Sequence, residues 1–464
     1  MLDVLSALAR EAHSWVELRY HARRSRLIRM RNGRMEESSS AEVIGVGVRV
    51  LVDGVFGFAS TTDTTREGIS KSIADAQDAA RTAAGSKKKR IEKLAPIPAT
   101  TGAFGFDLAD PLTDHSLEEK LDLVQRIERR VAGADPRIVS AAASYAELID
   151  EKAIATSDGV AVRLLQSRPE FRTMATAQEN GQQTLGMDSV GVQGGWSDML
   201  SKRDPEEMAQ HTVKLAIDQL KAPFPEGESA TVVLDPGLVG VLAHEAIGHT
   251  VEADLVLGGA ITMGKIGQSV ASPLVTLCDS GVSEHLPHAV GTLPVDDEGV
   301  AATRTVLIDQ GVLRSYLHDR ESAAHFGVEP TGNARAWEYS DQPLIRMRNT
   351  YVDQGETALE EMIGEVKHGY YLKALGMSGQ ADSNAEFMFG VREAWRIVDG
   401  RKGEFLRGVT ISGNAFEVLK SVDAVGNDFT WEYGAGACGK GQPAKADLGG
   451  PHIRCRITIG GRQQ

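Results

Sequence analysis

A chain of 464 residues is too long for one compact core, so two or three domains are implied. Its 42% hydrophobic and 25% charged residues are the balance of an ordinary globular protein, and no run reaches the roughly 18 consecutive apolar residues of a membrane span. A formal charge of −14 argues against nucleic acid as a partner, and three cysteines (Cys278, Cys438 and Cys455) imply a reducing compartment without a disulfide framework.

The opening segment, MLDVLSALAREAHSW, breaks its apolar run with Asp3, Arg10 and Glu11. It reads as an amphipathic helix over 2–12 and not as a signal peptide, which gives a cytoplasmic location as the expectation. Residues 15–60 are strand-like, with a hairpin turn at Val52-Asp53-Gly54. Ile69, Ile73, Ala76, Ala80 and Ala84 then mark one face of a helix. From 85 to 113 the chain reads as a linker, and its basic run Lys87-Lys88-Lys89-Arg90 as a solvated part of it. Ser116 and Glu119 form a capping-box pattern for a helix carrying Leu117, Leu121, Val124 and Val131. Strands follow over 138–190, with a turn at Ser157-Asp158-Gly159. Asp204-Pro205 opens one more helix, with Met208, Ala209, Val213, Ala216, Ile217 and Leu220 on its apolar face. Two α-β-α units, 1–95 and 110–222, are therefore expected.

After a Pro- and Gly-containing linker at 221–227, strand-like runs dominate. They are Thr231–Leu234, Leu274–Cys278, Arg304–Ile308, Leu344–Val352, Tyr370–Leu375, Phe387–Val398, Phe405–Ile411 and Ile453–Ile459. Hairpin signals stand at Asp309-Gln310-Gly311 and Asp399-Gly400-Arg401, and helices are expected at 236–250, 318–326, 357–366 and 413–421. The fold class is α+β, with a strand-rich, barrel or sandwich-like catalytic domain over 228–464.

The chemistry gathers at His244-Glu245-Ala246-Ile247-Gly248-His249. Asp235 and Pro236 start a helix whose wholly apolar run, Leu238 to Ala243, delivers these polar side chains. Two imidazoles bind zinc, and a neighbouring carboxylate takes a proton from water activated there. The familiar motif spaces its histidines four apart, whereas these are five apart. At about 100° per residue that puts them roughly 140° apart on an ideal α-helix. A π-type turn would align them, with Gly248 easing the distortion. Glu245 is the expected base, and either Glu252 or Asp254 the acceptor for a ligand imidazole N–H. For a third ligand the candidates are Cys438, Cys278, His285, His288 and His452. Cys438 lies in the glycine-rich stretch Gly434 to Gly441, where glycines would let the backbone approach an ion and Lys440 would favour a thiolate. Cys278 reads as a small buried hydrophobe, Cys455 as a core-facing strand residue, and His285 and His288 as loop residues.

The segment His244 to Asp254, with Ile411-Ser412-Gly413-Asn414 and Cys438-Gly439-Lys440-Gly441-Gln442, resembles the TldD subunit of the TldD/TldE (PmbA) metallopeptidases. The likeness spans nearly the whole chain. It implies one zinc held by His244, His249 and Cys438, with Glu245 as base. It further implies unfolded peptides or peptide segments as substrates, held extended, and pairing with a homologous TldE-type subunit that lacks the metal motif; a homodimer is the other arrangement considered. Two further readings stand beside the peptidase: a metal-dependent hydrolase of a small amide or modified metabolite, and a non-catalytic subunit, against which the intact metal set argues.

Overall fold

The computed structural model describes residues 1–86, 90–382 and 384–461, so Lys87 to Lys89 of the basic run lie outside the described residues. In chain order the N-terminal half comprises α1 (Leu2–Glu11), β1 (Trp15–Arg31), β2 (Arg34–Val52), β3 (Val55–Thr61), α2 (Arg66–Ala84) and β4 (Thr101–Phe104). It continues with α3 (Leu117–Ala132), β5 (Ile138–Thr156), β6 (Ala161–Glu179), β7 (Gln182–Gly191), α4 (Trp196–Lys202) and α5 (Pro205–Gln219). The order helix, three antiparallel strands, helix occurs twice. The two sets do not form separate sheets, because β1 pairs antiparallel with β5 from Glu17↔Thr156 to Arg31↔Ala142. One seven-stranded sheet results, in the order β3-β2-β1-β5-β6-β4 with β7 also on β6. The stretch expected as linker contributes β4, which pairs parallel with Ala161 to Leu164 of β6, along an edge that β7 leaves free.

Local signals act as their chemistry requires. Ser116 and Glu119 cap α3 reciprocally, and Asp204 caps α5 ahead of Pro205. Asp53 and Gly54 both take positive φ, the twist a two-residue hairpin needs. In β1, Val16 and Leu18 face a core under α1 and α2, while the alternate residues Glu17, Arg19, His21 and Arg23 are buried on the opposite face. That charged face packs on the C-terminal domain. Arg49 reaches Glu298 at 2.5 Å and Lys152 reaches Asp297 at 2.7 Å.

In the C-terminal domain, strands His368–Ala381, Glu228–Leu234, Ile453–Gly460, Thr410–Asn414 and Glu386–Val398 pair in that order, and the last pairs back to the first. They close a five-stranded β-barrel, which leaves those strands without free edges. Cys455 points into its core. A second, six-stranded sheet includes Leu277–Ser280, Arg304–Asp309, Asn349–Val352 and Asp447–Gly450. Two expected strands are broken. Phe405–Ile411 is interrupted at Gly408, whose φ is +62°. Leu344–Val352 is split between Ile345 and Asn349, where the buried guanidiniums of Arg346 and Arg348 bond backbone carbonyls and Asp279. Among the described residues no helix is long and apolar enough to cross a membrane.

Candidate metal centre

Strand Glu228–Leu234 leaves the barrel and turns at Asp235 into helix Pro236–Val241. Asp235 accepts from the Leu238 N–H at 2.9 Å, and the helix is buried along its whole length. The winding then changes. Leu242–Ile247 forms a π-helical turn, in which the Gly248 N–H donates to the carbonyl of Ala243, five residues back, as well as to that of His244. A tighter 3₁₀ turn, Gly248–Val251, follows. The change falls at Ile247, whose φ of −112° and ψ of −50° stay within the right-handed helical region. This widening brings the two imidazoles edge to face, 5.5 Å between ring centroids.

Gly248 serves a different purpose from the one its flexibility suggests. Its φ of −55° is ordinary helical backbone. What the site demands is the absence of a Cβ, which would collide with the Met347 sulfur.

One donor atom each from His244, Glu245, His249 and Cys438 lies within 4.8 Å of the others. Cys438 Sγ stands 3.2 Å from His249 Nε2, and Glu245 Oε2 stands 3.6 Å from the same nitrogen. Cys438 arrives on a short hairpin, Cys438–Lys440 with Gln442–Ala444, turned at Gly441 with φ +71°. Gly441 is the glycine that this loop geometry requires, whereas Gly436 and Gly439 face open space. The hairpin is clamped from below. Arg346 donates to the carbonyl of Cys438 at 2.8 Å and to that of Gln442 on the other strand. The Trp337 N–H donates to the Gln442 side chain at 2.6 Å. Neither Arg346 nor Trp337 stands out in the sequence; the signal for the former is that Arg346 and Arg348 alternate with Ile345 and Met347 inside a strand-like run.

Of the two acidic residues expected behind the ligands, Glu252 takes the position. It is fully buried and accepts from His249 Nδ1 at 2.7 Å, which leaves Nε2 toward the cluster. Asp254 instead pairs with Lys440 at 2.9 Å. Lys440 also donates to the Ile345 carbonyl at 2.7 Å and lies 3.3 Å from Glu252, so its charge answers these acids and not the thiolate. Of the other ligand candidates, none joins the cluster. His285 pairs with Asp353 at 3.0 Å, His288 bonds the Gln193 carbonyl at 3.1 Å, and His452 bonds Asp428 at 2.6 Å. Cys278 is buried among Tyr351 and Trp431, and burial pushes its thiol up to about 12.

The electrostatics single out Cys438. Burial alone would raise its thiol, but the His244 and His249 imidazoles beside it outweigh this and hold it down to about 4. Burial likewise works against the charged form of His249, yet Cys438 and Glu252 raise it to about 10. His244 is raised too, chiefly by Cys438 against its own burial. A thiolate and two basic imidazoles converge, and His244 Nδ1 is buried without a hydrogen-bond partner among the described residues. Two imidazoles, one thiolate and an adjacent carboxylate are a donor set that fits zinc.

Comparison with known proteins places the chain in a family. Models of the PmbA/TldA metallopeptidases match three stretches: domain 1 at residues 16–83, the central domain at 110–220 and the C-terminal domain at 227–461. A metalloprotease of Methanothermobacter thermautotrophicus is 35% identical over 96% of this chain and 95% of its own length. A zinc metalloprotease TldD homolog of Saccharolobus solfataricus is 29% identical over 90% of each chain. The crystal structure of TldE from Thermococcus kodakarensis has the same fold, with a TM-score of 0.80 at 19% identity over 99% of this chain and 100% of that one. The chain thus belongs to the PmbA/TldD family of metallopeptidases.

Proposed function

We propose that this chain is a zinc-dependent peptidase of the TldD type, cleaving unfolded peptides or extended peptide segments. The observation that carries the reading is the convergence of His244, His249 and Cys438, from the two ends of the catalytic domain, beside Glu245. His244, His249 and Cys438 would hold the ion. When bound, zinc supplies Lewis acidity that lowers the pKa of water and polarises the scissile carbonyl.

The remaining work falls to the protein's own groups. Glu245 has a 39% exposed side chain against 20% for His249, so it is the member of the cluster that solvent and substrate reach. It accepts the proton of the attacking water and returns it to the departing amine. Glu252 holds His249 in the tautomer that keeps Nε2 free for the metal. The Arg346 clamp fixes Cys438 through its backbone, so the thiolate is positioned without a direct contact to the sulfur.

An extended substrate backbone recognised by hydrogen bonds gives affinity with little sequence choice, which suits unfolded peptides. Similarity to TldE along the whole length supports pairing with a TldE-type subunit. The complete donor set argues for the active role in such a pair.

The test is Glu245→Gln in the zinc-loaded protein. We expect hydrolysis of an unfolded protein such as reduced casein to fall by about 10²–10⁴-fold, with zinc content unchanged. Wild-type rates in that variant, or a wild-type enzyme that cleaves small amides and leaves unfolded polypeptide intact, would refute the reading.

A further inference from the structure

The charged face of the N-terminal sheet and the catalytic domain border a cavity of about 20 Å³, which also touches the far strand of the Cys438 hairpin at Pro443 and Ala444 but is lined by none of the proposed ligands. A space of that size holds one water or an ion of similar bulk. Its walls include Arg23, Lys152, Arg168, Arg335 and Lys445, against Asp150 and Asp297.

Four of these five cations lie near a carboxylate, but only three buried carboxylates serve them. Arg23 lies 2.7 Å from Asp150, Lys152 lies 2.7 Å from Asp297, and Lys445 pairs with Glu170. Arg168 comes last to Asp150, at 3.3 Å, behind both Arg23 and His21. Among the described residues, Arg335 donates to the carbonyls of Met347 and Lys445. Its neighbour Arg346 also bonds carbonyls alone. Arg19 approaches Asp297 at 4.0 Å but is already engaged with Glu17. Glu338, 3.7 Å from Arg23 Nη1, is 35% exposed and solvated at the rim. The balance is a surplus of buried positive charge.

Donors are left over as well. Among the described residues, Arg168 Nη2 and Arg23 Nη1 are buried without a hydrogen-bond partner, on residues only 3% and 7% exposed. Burial, with Arg168 and Arg346 beside it, draws Arg335 down to about 9, the sign of a cation short of anionic company. A water would accept hydrogen bonds here but leave the charge uncompensated, which is costly in a buried setting.

We propose that this cavity binds a small monovalent anion, a halide such as chloride, through Arg168, Arg23 and Arg335. So small a space suits a monatomic ion better than phosphate, sulfate or a peptide carboxylate. The anion would neutralise the seam between the N-terminal sheet and the catalytic domain. It would also steady Arg335, which bonds the Lys445 carbonyl just beyond the hairpin that carries Cys438.

Thermal unfolding of the full chain in sodium chloride, bromide and gluconate at equal ionic strength tests this. We expect chloride and bromide to raise Tm saturably by roughly 1–4 °C over gluconate, which is too large to enter. Arg168→Gln should abolish the difference between the salts. Because that variant also loses an ion pair, bromide-grown crystals of the wild type provide a second reading: an anomalous peak bounded by Arg168 and Arg335. Equal Tm values in all three salts, or density for water alone with no anomalous signal, would overturn the proposal.

Discussion

The metal centre and the seam beneath the N-terminal sheet are both buried and both polar, yet their charges are arranged in opposite senses. In the seam, opposite charges interlock across the domain boundary. Arg49 bridges Glu17 and Glu298 at 2.5 Å each, and Lys152 spans to Asp297. At the metal centre the donors face one another, and the nearest ammonium, that of Lys440, is committed to Glu252 and Asp254. Ion pairs closed across the boundary in this way hold the two domains together. Two imidazoles and a thiolate that converge beside a carboxylate are donors suited to a metal ion. The contrast separates two kinds of buried polarity that look alike in composition.

The largest effect on stability should come from breaking the interlocked side. Arg49→Met leaves Glu298 buried with no guanidinium at its Oε1 and Glu17 with Arg19 alone, and should cost about 3–5 kcal/mol. Urea unfolding reads this, and zinc bound per folded chain should stay the same. A loss near zero would mean that the seam is not held by its charges. On the metal side, Glu252→Gln should weaken zinc binding about 10–100-fold in a chelator competition, because His249 loses the partner that fixes its ring. Unchanged affinity would remove Glu252 from the account. Gly248→Ala should cost about 1–3 kcal/mol through overpacking against Met347. The penalty should shrink in a Met347→Ala background; the same penalty in both would show that Met347 is not what the glycine accommodates.

The smallest effect concerns pH. His211 of α5 sits between Asp188 at 3.0 Å and Glu393 of the barrel at 3.2 Å, which ties the two halves together. Hydrogen bonds to Asp188 and Glu393 raise its pKa to about 9. A folded pKa above the ordinary 6.5 means that its stabilisation is complete below about pH 6.5 and is lost as pH rises through about 9. Wild type and His211→Gln should therefore converge in stability above that pH and diverge below it. Parallel pH profiles would contradict the assignment.

Much of the site was legible in the chain. The five-residue interval between His244 and His249 is incompatible with a shared ligand on a regular helix, so the spacing itself demands the widened turn that is observed. Helix caps at Ser116 and Asp204 follow from local chemistry and stand where the residues indicate. Contacts made at a distance were not legible. Nothing local marks β1 and β5 as partners, so two α-β-α units read as separate when they share one sheet. Residues 15–60 read as strand, but that Glu17, Arg19, His21 and Arg23 would be buried was not legible, because the domain that covers them lies beyond any sequence period. Lys440 stands two residues from Cys438 yet turns to acids almost two hundred residues away. Gly248 is small because of Met347, a neighbour only in space.

Zinc K-edge X-ray absorption on the purified, metal-loaded chain bears most directly on the centre. One zinc per chain, with one sulfur and two imidazole nitrogens around it and the sulfur lost in Cys438→Ser, is the predicted result. A shell with no sulfur, or stoichiometric zinc that survives replacement of His244, His249 and Cys438 together, would contradict it.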